Sequence, residues 1–215
     1  MGKIKKGILG GFSGKVGNVV GANWIGIDYM RAMPASVANP KTASQEEVRD
    51  GFKTCTRFLL QFGIGNLNVM FKPFRVHMSP FNAAMKYAYK NCLQGSGLVH
   101  TIDYLQFKPG NDNVMSSLSV TPSAGSVNIN YALSVTPSAA EVENIPPQAV
   151  ILNIDKGECI SAIDSLDDYT TSQGQISWAD VPAAWSGDDC YLFFFYTNAD
   201  HTKIYQTLVA NFTAV

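Results

Sequence analysis

The sequence predicts an α+β protein in three parts: an extended glycine-rich N-terminal arm over residues 1–40, a two-helix segment over 41–97 and an antiparallel β-sandwich over 98–215. Glycines interrupt the apolar stretches of the arm, and the segment after the arm has apolar residues at a helical spacing. The second half alternates β-branched and aromatic segments with turn residues. At 215 residues, the chain is long enough to bury a substantial core.

Single apolar residues separate the glycines of the arm, in a spacing that is neither helical nor a two-residue alternation. Glycine permits close backbone approach but costs conformational entropy, so we expect the arm to lie extended on another surface. A membrane-active segment is the alternative, which the glycines oppose because it needs continuous helical amphipathicity. The residues predicted to mediate assembly are Ile8, Leu9, Phe12, Val16, Val19, Val20, Trp24 and Tyr29.

A capping box predicts where the first helix begins, because Gln45 follows Thr42 at the required spacing. Apolar residues then repeat at spacings of three and four, which predicts an amphipathic helix over 46–62. A second helix is predicted over about 79–93, because Ser79 is a favourable N-cap and a proline follows it. Glycines end both helices, so the two can form a hairpin.

Strand-like segments fill the second half at roughly ten-residue spacing, between Gly, Pro, Ser, Asn and Asp residues. This pattern is typical of an antiparallel, immunoglobulin-like sandwich. The uninterrupted apolar and aromatic run of residues 190–196 predicts a central strand that is buried on both faces. The predicted strands cover residues 99–107, 113–121, 126–135, 148–155, 158–163, 174–178, 189–197 and 202–210.

Positive and negative charges separate along the chain. Residues 1–95 contain 13 Lys and Arg against 4 Asp and Glu, whereas residues 96–215 contain 3 against 13. This asymmetry indicates head-to-tail association between copies, or an acidic or nucleic-acid partner for the first half. Attraction between the two halves of one chain is the alternative.

Basic and aromatic residues interleave in the first half. Such residues can neutralise phosphates and stack on bases, so a nucleic-acid surface is one interpretation. We favour the other, in which the aromatic rings pack in a helical core and the basic residues face solvent. The predicted basic surface consists of Lys53, Arg57, Lys72, Arg75, Lys86 and Lys90.

Motifs of enzyme chemistry are missing from the sequence. The cysteines stand apart without CxxC or zinc-ligand spacing, which predicts reduced thiols; a disulfide between Cys159 and Cys190 is the alternative. The 3 histidines lie far apart, and neither GxSxG nor GxxxxGK[ST] occurs. We therefore expect no enzyme and no cofactor, and we assign no catalytic, cofactor-binding or metal-ligating residue.

Loop residues of the second half leave two binding alternatives open. Carboxylates could hold Ca²⁺ through their oxygens, although solvated turns are the commoner explanation. Aromatic rings could form a sugar-stacking platform, although core packing is the commoner role. The carboxylates are those of Asp164, Asp167, Asp168, Asp188 and Asp189, and the rings are those of Trp178, Trp185, Tyr169 and Tyr191.

Two motifs carry a resemblance to a known family. Residues 2–21 read GKIKKGILGGFSGKVGNVVG, followed by Trp24 and by the run from Asn39 to Thr42. Residues 185–193 read WSGDDCYLF. In these motifs the chain resembles an uncharacterised family abundant in Bacteroidota. The resemblance covers nearly the whole chain and implies no established activity.

The segment from Asn39 to Phe52 is also similar to short helical stretches of some phage structural proteins with β-sandwich tails. That similarity implies a virion component. Members of the family carry more basic residues after the glutamine, where this chain has Glu46 and Glu47. The departure argues against nucleic-acid binding by this helix.

We therefore expect a non-enzymatic structural protein that self-associates through its arm into a homo-oligomer, in a virion or a cytoplasmic assembly. The alternatives are a carbohydrate- or protein-binding module that uses the sandwich loops, and nucleic-acid association through the basic half. No run of about 18 apolar residues occurs, so we expect no membrane insertion. Glycines and Lys15 break the N-terminal apolar stretch, which we interpret as mature sequence rather than a signal peptide.

Overall fold

A computed structural model describes residues 2–3, 12–36, 39–110, 115–133, 147–162, 173–178, 181–198, 200–205 and 207–215. Its contacts divide the chain into two compact units, Met1–Thr42 and Ala43–Val215. Helices and antiparallel strands both occur, which confirms the α+β class.

The first unit contains one antiparallel sheet, with strands β1 Gly2–Lys3, β2 Gly14–Val16, β3 Val19–Trp24 and β4 Ile27–Ala32. The strand order is β1-β4-β3-β2. The arm is extended, but it pairs with itself where the sequence predicted a single extended segment. Glycine explains the difference, because Gly17 and Gly26, with φ of 58° and 76°, occupy the two tight turns that reverse the chain.

Helices form the start of the second unit: α1 Ala43–Gln61, α2 Ile64–Phe71 and α3 Pro80–Asn91. The first and last lie where capping and periodicity predicted them. The Ser79 hydroxyl caps α3 by accepting a hydrogen bond from the Asn82 amide at 3.2 Å. The sequence did not predict α2, because Gly63 and Gly65 were interpreted as helix stops. Gly63, with φ of 75°, instead turns the chain directly into a new helix.

The remaining strands form a hairpin and two larger sheets. They are β5 Leu93–Ser96, β6 Val99–Ile102, β7 Met115–Ser123, β8 Ser126–Leu133, β9 Gln148–Asn153, β10 Glu158–Ala162, β11 Gln173–Trp178, β12 Asp189–Phe195 and β13 Leu208–Thr213. The hairpin pairs β5 with β6, and the larger sheets have the orders β10-β9-β12-β13 and β11-β8-β7. Every one of these pairings is antiparallel.

Strand β12 takes part in two hydrophobic cores, one on each side of the four-stranded sheet. Leu192 and Phe194 are buried in the core shared with the three-stranded sheet. Phe193 and Phe195 are buried in the core shared with the helices. This alternation confirms the prediction of a central strand buried on both faces, and it arranges the unit as helices, four-stranded sheet and three-stranded sheet.

Two predicted strands differ from the structure by five or more residues at one end. Strand β6 ends at Ile102 because the Asp103 carboxylate accepts a hydrogen bond from the Leu105 amide at 3.1 Å and so begins a 3₁₀ turn. Strand β13 begins later than predicted, at Leu208, and before it Ile204 forms an isolated bridge with Thr197. The predicted bounds at residues 113, 135 and 163 lie outside the described residues.

Candidate functional site

The tip of the β3–β4 hairpin presents two large apolar side chains to solvent. Trp24 is 50% exposed and Ile25 is 54% exposed. Ile25 has a φ of 49°, which is rare for a β-branched residue because its Cβ is crowded in the left-handed region. The Asn23 amide donates to Asp28 at 2.6 Å and accepts from the Gly26 amide at 3.2 Å, which holds the turn.

The predicted assembly residues divide between the two faces of the N-terminal sheet. Val20, Trp24 and Tyr29 lie on one face, as the pairing of β3 with β4 requires. Val16 and Val19, which pair with each other, lie on the opposite face.

Phe12 packs against the Gly21 backbone on the face of Val16 and Val19, since a Cβ at Gly21 would collide with the Phe12 ring and carbonyl. Ile8 and Leu9 lie outside the described residues. The sequence did not point to Ile25, because Ile-Gly is not among the residue pairs that favour a two-residue hairpin turn.

The predicted basic surface is largely exposed. Lys72 is the exception, because it is partly buried and its ammonium donates to the Asp200 carbonyl at 2.6 Å. Lys86 and Lys90, one helical turn apart, form a ridge along α3 that we call the α3 ridge. The exposed members are Lys53, Arg57, Arg75, Lys86 and Lys90.

A cleft lies on each side of the α3 ridge. The first, about 460 Å³, has Phe52, Met85 and Tyr89 in its lining. The rings of Phe52 and Tyr89 stack there, with centroids 4.9 Å apart, and Phe52 is 47% exposed. The second, about 330 Å³, includes Phe74 and Val76. No acidic residue is among the described residues that line either cleft.

Ion pairs in the described part of the chain leave the charge asymmetry uncompensated. His100 pairs with Asp50 at 3.0 Å, and Lys156 pairs with Asp188 at 2.6 Å. Neither pair joins a Lys or Arg of the first 95 residues to a carboxylate of the second half. Attraction between the two halves of one chain therefore does not occur through direct ion pairs among the residues described.

Carboxylates gather at one end of the four-stranded sheet, where β9, β10 and β12 meet. This acidic end consists of Asp155, Glu158, Asp188 and Asp189, with Lys156 as the neighbouring cation. Hydrogen bonds from Lys156 and Asn153 hold the pKa of Asp188 below its usual value. Asp155 and Asp189 are exposed, and the Asp155 carboxylate accepts a hydrogen bond from the Asp189 amide at 2.9 Å.

The calcium alternative gains no support at these positions. No group of three or more potential metal ligands occurs among the described residues. Asp164, Asp167 and Asp168 lie outside those residues.

All four thiols are free, as their spacing predicted, so Cys159 and Cys190 form no disulfide. Burial raises the pKa of Cys55 to about 11 and that of Cys92 to about 12. Burial, followed by the nearby carboxylates, raises the pKa of Cys190 to about 11. Neutral buried thiols are poor nucleophiles, so Cys55, Cys92 and Cys190 are not activated as nucleophiles.

The two tryptophans of the proposed sugar-stacking platform are core residues. Trp178 is 6% exposed and Trp185 is 1% exposed. The Trp185 indole donates to Glu158 at 3.0 Å, which satisfies its polar atom. Tyr169 lies outside the described residues. Neither indole face is available to a sugar, which agrees with the interpretation that favoured core packing.

Comparisons with known proteins give one match. A family model described as a family of unknown function (DUF6266) matches residues 11–210. No curated protein and no solved structure matches the chain. Among the described residues, no helix combines the length and apolar character needed to cross a bilayer.

Proposed function

The chain belongs to this family of unknown function, and from its structure we propose that it is a non-enzymatic structural protein that self-associates through its N-terminal sheet. The observation that carries the proposal is the exposed, strained apolar tip formed by Trp24 and Ile25. A left-handed backbone at a non-glycine residue costs about 1–2 kcal/mol, and such strain concentrates at functional positions.

Further apolar exposure in the same unit supports the proposal. Val16 is 66% exposed, Met30 is 38% exposed and Met33 is 47% exposed. Val16 and Met30 lie on the face of the sheet opposite Trp24, so apolar side chains are exposed on both faces. Several exposed apolar side chains in one small unit favour an interaction role. Copies of the chain are the partner we propose, because a structural protein of a virion or a cytoplasmic assembly is built from repeated contacts between subunits.

We also infer that the sandwich of the second unit is immunoglobulin-like. With strands β7 to β13 lettered A to G, the sheets read E-B-A and D-C-F-G. Two antiparallel sheets of three and four strands around one core suit that architecture. Such sandwiches occur in many proteins as structural modules, so the inference supports the assembly role only as an analogy of fold.

The test replaces the hairpin tip and measures the mass of the full-length chain by light scattering. In the double variant Trp24→Thr, Ile25→Gly we expect oligomers to dissociate to monomer. Glycine adopts the turn conformation without strain, so the hairpin itself should remain folded. The matched control is Leu98→Ser, which removes a 64% exposed apolar side chain from the tip of the β5–β6 hairpin.

Equal oligomer mass in the tip variant and in the native chain would refute the proposal, and so would a native chain that is monomeric. An equal loss of oligomer in the tip variant and in the Leu98→Ser control would also count against the proposal, because general surface hydrophobicity would then explain the association.

A further inference from the structure

We propose that the α3 ridge of one copy docks on the acidic end of a second copy, a contact separate from the N-terminal sheet. The inference rests on the proposed self-association and names a pair of surfaces that sets the register between copies. It starts from the charge asymmetry, which no ion pair between described residues compensates, and from the two clefts that flank Lys86 and Lys90.

The ridge has the properties of a docking surface. Lys86 and Lys90 are exposed, and no ion pair with a described residue involves either of them. Apolar walls on both sides lower the local dielectric, which strengthens the attraction of an approaching carboxylate. Lys53 and Arg57 on α1 are also exposed, but neither lines a cleft of the ridge.

Two carboxylates of α1, those of Glu47 and Asp50, are bound to groups outside the α3 ridge. The Glu47 carboxylate accepts a hydrogen bond from the Gly97 amide at 2.9 Å, and Asp50 pairs with His100. Both contacts connect α1 to the β5–β6 hairpin, so these two charges are engaged away from the ridge. The charges of Glu47 and Asp50 therefore leave Lys86 and Lys90 open to a carboxylate of a partner.

A second copy is the occupant that charge complementarity favours. Its acidic end presents four carboxylates beside one lysine, and Lys156 already pairs with Asp188. Asp155 and Asp189 are exposed. The excess negative charge also acts on Cys190, whose pKa is raised by burial and then by Asp188, Asp155 and Asp189. Complementary patches of this kind steer association and fix register.

The experiment reverses each charge pair separately and then together, in the full-length chain. Lys86→Glu with Lys90→Glu places negative charge opposite negative charge, and Asp155→Lys with Asp189→Lys places positive opposite positive. We expect each double variant to associate at least about tenfold more weakly than the native chain. If the Asp155→Lys, Asp189→Lys variant melts at a lower temperature than the native chain, the milder variant Asp155→Asn, Asp189→Asn replaces it in the association measurement.

The chain with all four reversals should associate again, because the two surfaces are then complementary with their signs exchanged. An equimolar mixture of the two double variants should also recover association. The matched control Lys53→Glu, Arg57→Glu changes net charge equally at two exposed positions one helical turn apart on α1, neither of which lines a cleft of the ridge, and should leave association unchanged. Native association should weaken as ionic strength rises from about 0.05 M to about 0.5 M.

Unchanged association in both double variants, or no recovery in the fourfold variant, would overturn the inference. Nucleic acid is the alternative partner of the ridge. It would be assigned if the native chain binds a dT oligonucleotide, the Lys86→Glu, Lys90→Glu variant does not, and the acidic-end variants associate like the native chain. If the tip variants leave association intact and the charge reversals abolish it, the N-terminal contact fails and this one stands. If the tip variants abolish association and the charge reversals leave it intact, the contact between the α3 ridge and the acidic end fails and the N-terminal contact stands.

Discussion

Gly95 and Gly97 both have a left-handed backbone in the β5–β6 hairpin, with φ of 98° and 70°. Their surroundings differ. A Cβ at Gly95 would collide with the carbonyl oxygen of Val99, which belongs to the paired strand and cannot move independently. A Cβ at Gly97 would meet nothing within 4 Å.

We therefore expect Gly95→Ala to lower the free energy of unfolding by at least about 2 kcal/mol, through strain and collision together. Gly97→Ala should lower it by about 1 kcal/mol, through strain alone. Urea unfolding of both variants measures the difference. Equal losses would mean that the hairpin backbone relaxes around the added methyl group.

From the sequence, the solvent exposure of single side chains could be predicted, but the backbone strain at single residues could not. The lysines of α3 were predicted to face solvent because the helical period separates them from the apolar positions, and both are exposed. The conformation of Ile25 could not be predicted, because β-branched residues rarely adopt positive φ and no propensity signals the exception. Such a conformation is imposed by the pairing of β3 with β4.

The first turn of α3 provides a test at the level of one element. Ser79→Ala removes the hydroxyl that accepts from the Asn82 amide, and we expect a loss of about 1 kcal/mol in the free energy of unfolding. Ser79→Thr keeps the acceptor and should lose only a few tenths of that amount. Thermal or urea unfolding monitored by helical circular dichroism distinguishes them; equal losses would show that the cap contributes little.

Elements with strong local signals were predictable, and elements defined by pairing were not. Capping and periodicity located α1 and α3, and alternation with turn residues located strands such as β9 and β12 within two residues. The glycines of the N-terminal segment carry no period, so its sheet depends on hydrogen bonds between strands that the sequence does not display. Helix α2 is short and follows Gly63, which local rules treat as an end.

At the scale of the second unit, the two cores share β12, so we expect them to unfold in one transition. Phe193 is fully buried, and its ring centroid lies 4.7 Å from that of Phe62, which directly follows α1. Phe193→Ala should cost about 3–5 kcal/mol. Helical circular dichroism and the fluorescence of Trp178 and Trp185, which report the sandwich core, should shift to the same lower urea midpoint. Separate midpoints would show that the cores unfold independently.

The charge asymmetry could be counted in the sequence, but the positions of the charged surfaces in the fold could not be predicted from it. Lys86 and Lys90 become a ridge only because α3 packs against α1 on one side and against the segment 71–78 on the other, which leaves a cleft on either side. Asp155 and Asp189 are far apart in the chain and meet because β9 pairs with β12. Tertiary pairing, which no local pattern encodes, thus determines where the charges act.

The sharing of β12 also has a consequence for biosynthesis. The apolar faces of α1 and α3 are completed by Phe193 and Phe195, which leave the ribosome roughly a hundred residues after α3. At typical elongation rates this delay lasts about 5–20 s. During that interval the nascent helices present unpaired hydrophobic surface, which is the kind of surface that holding chaperones bind.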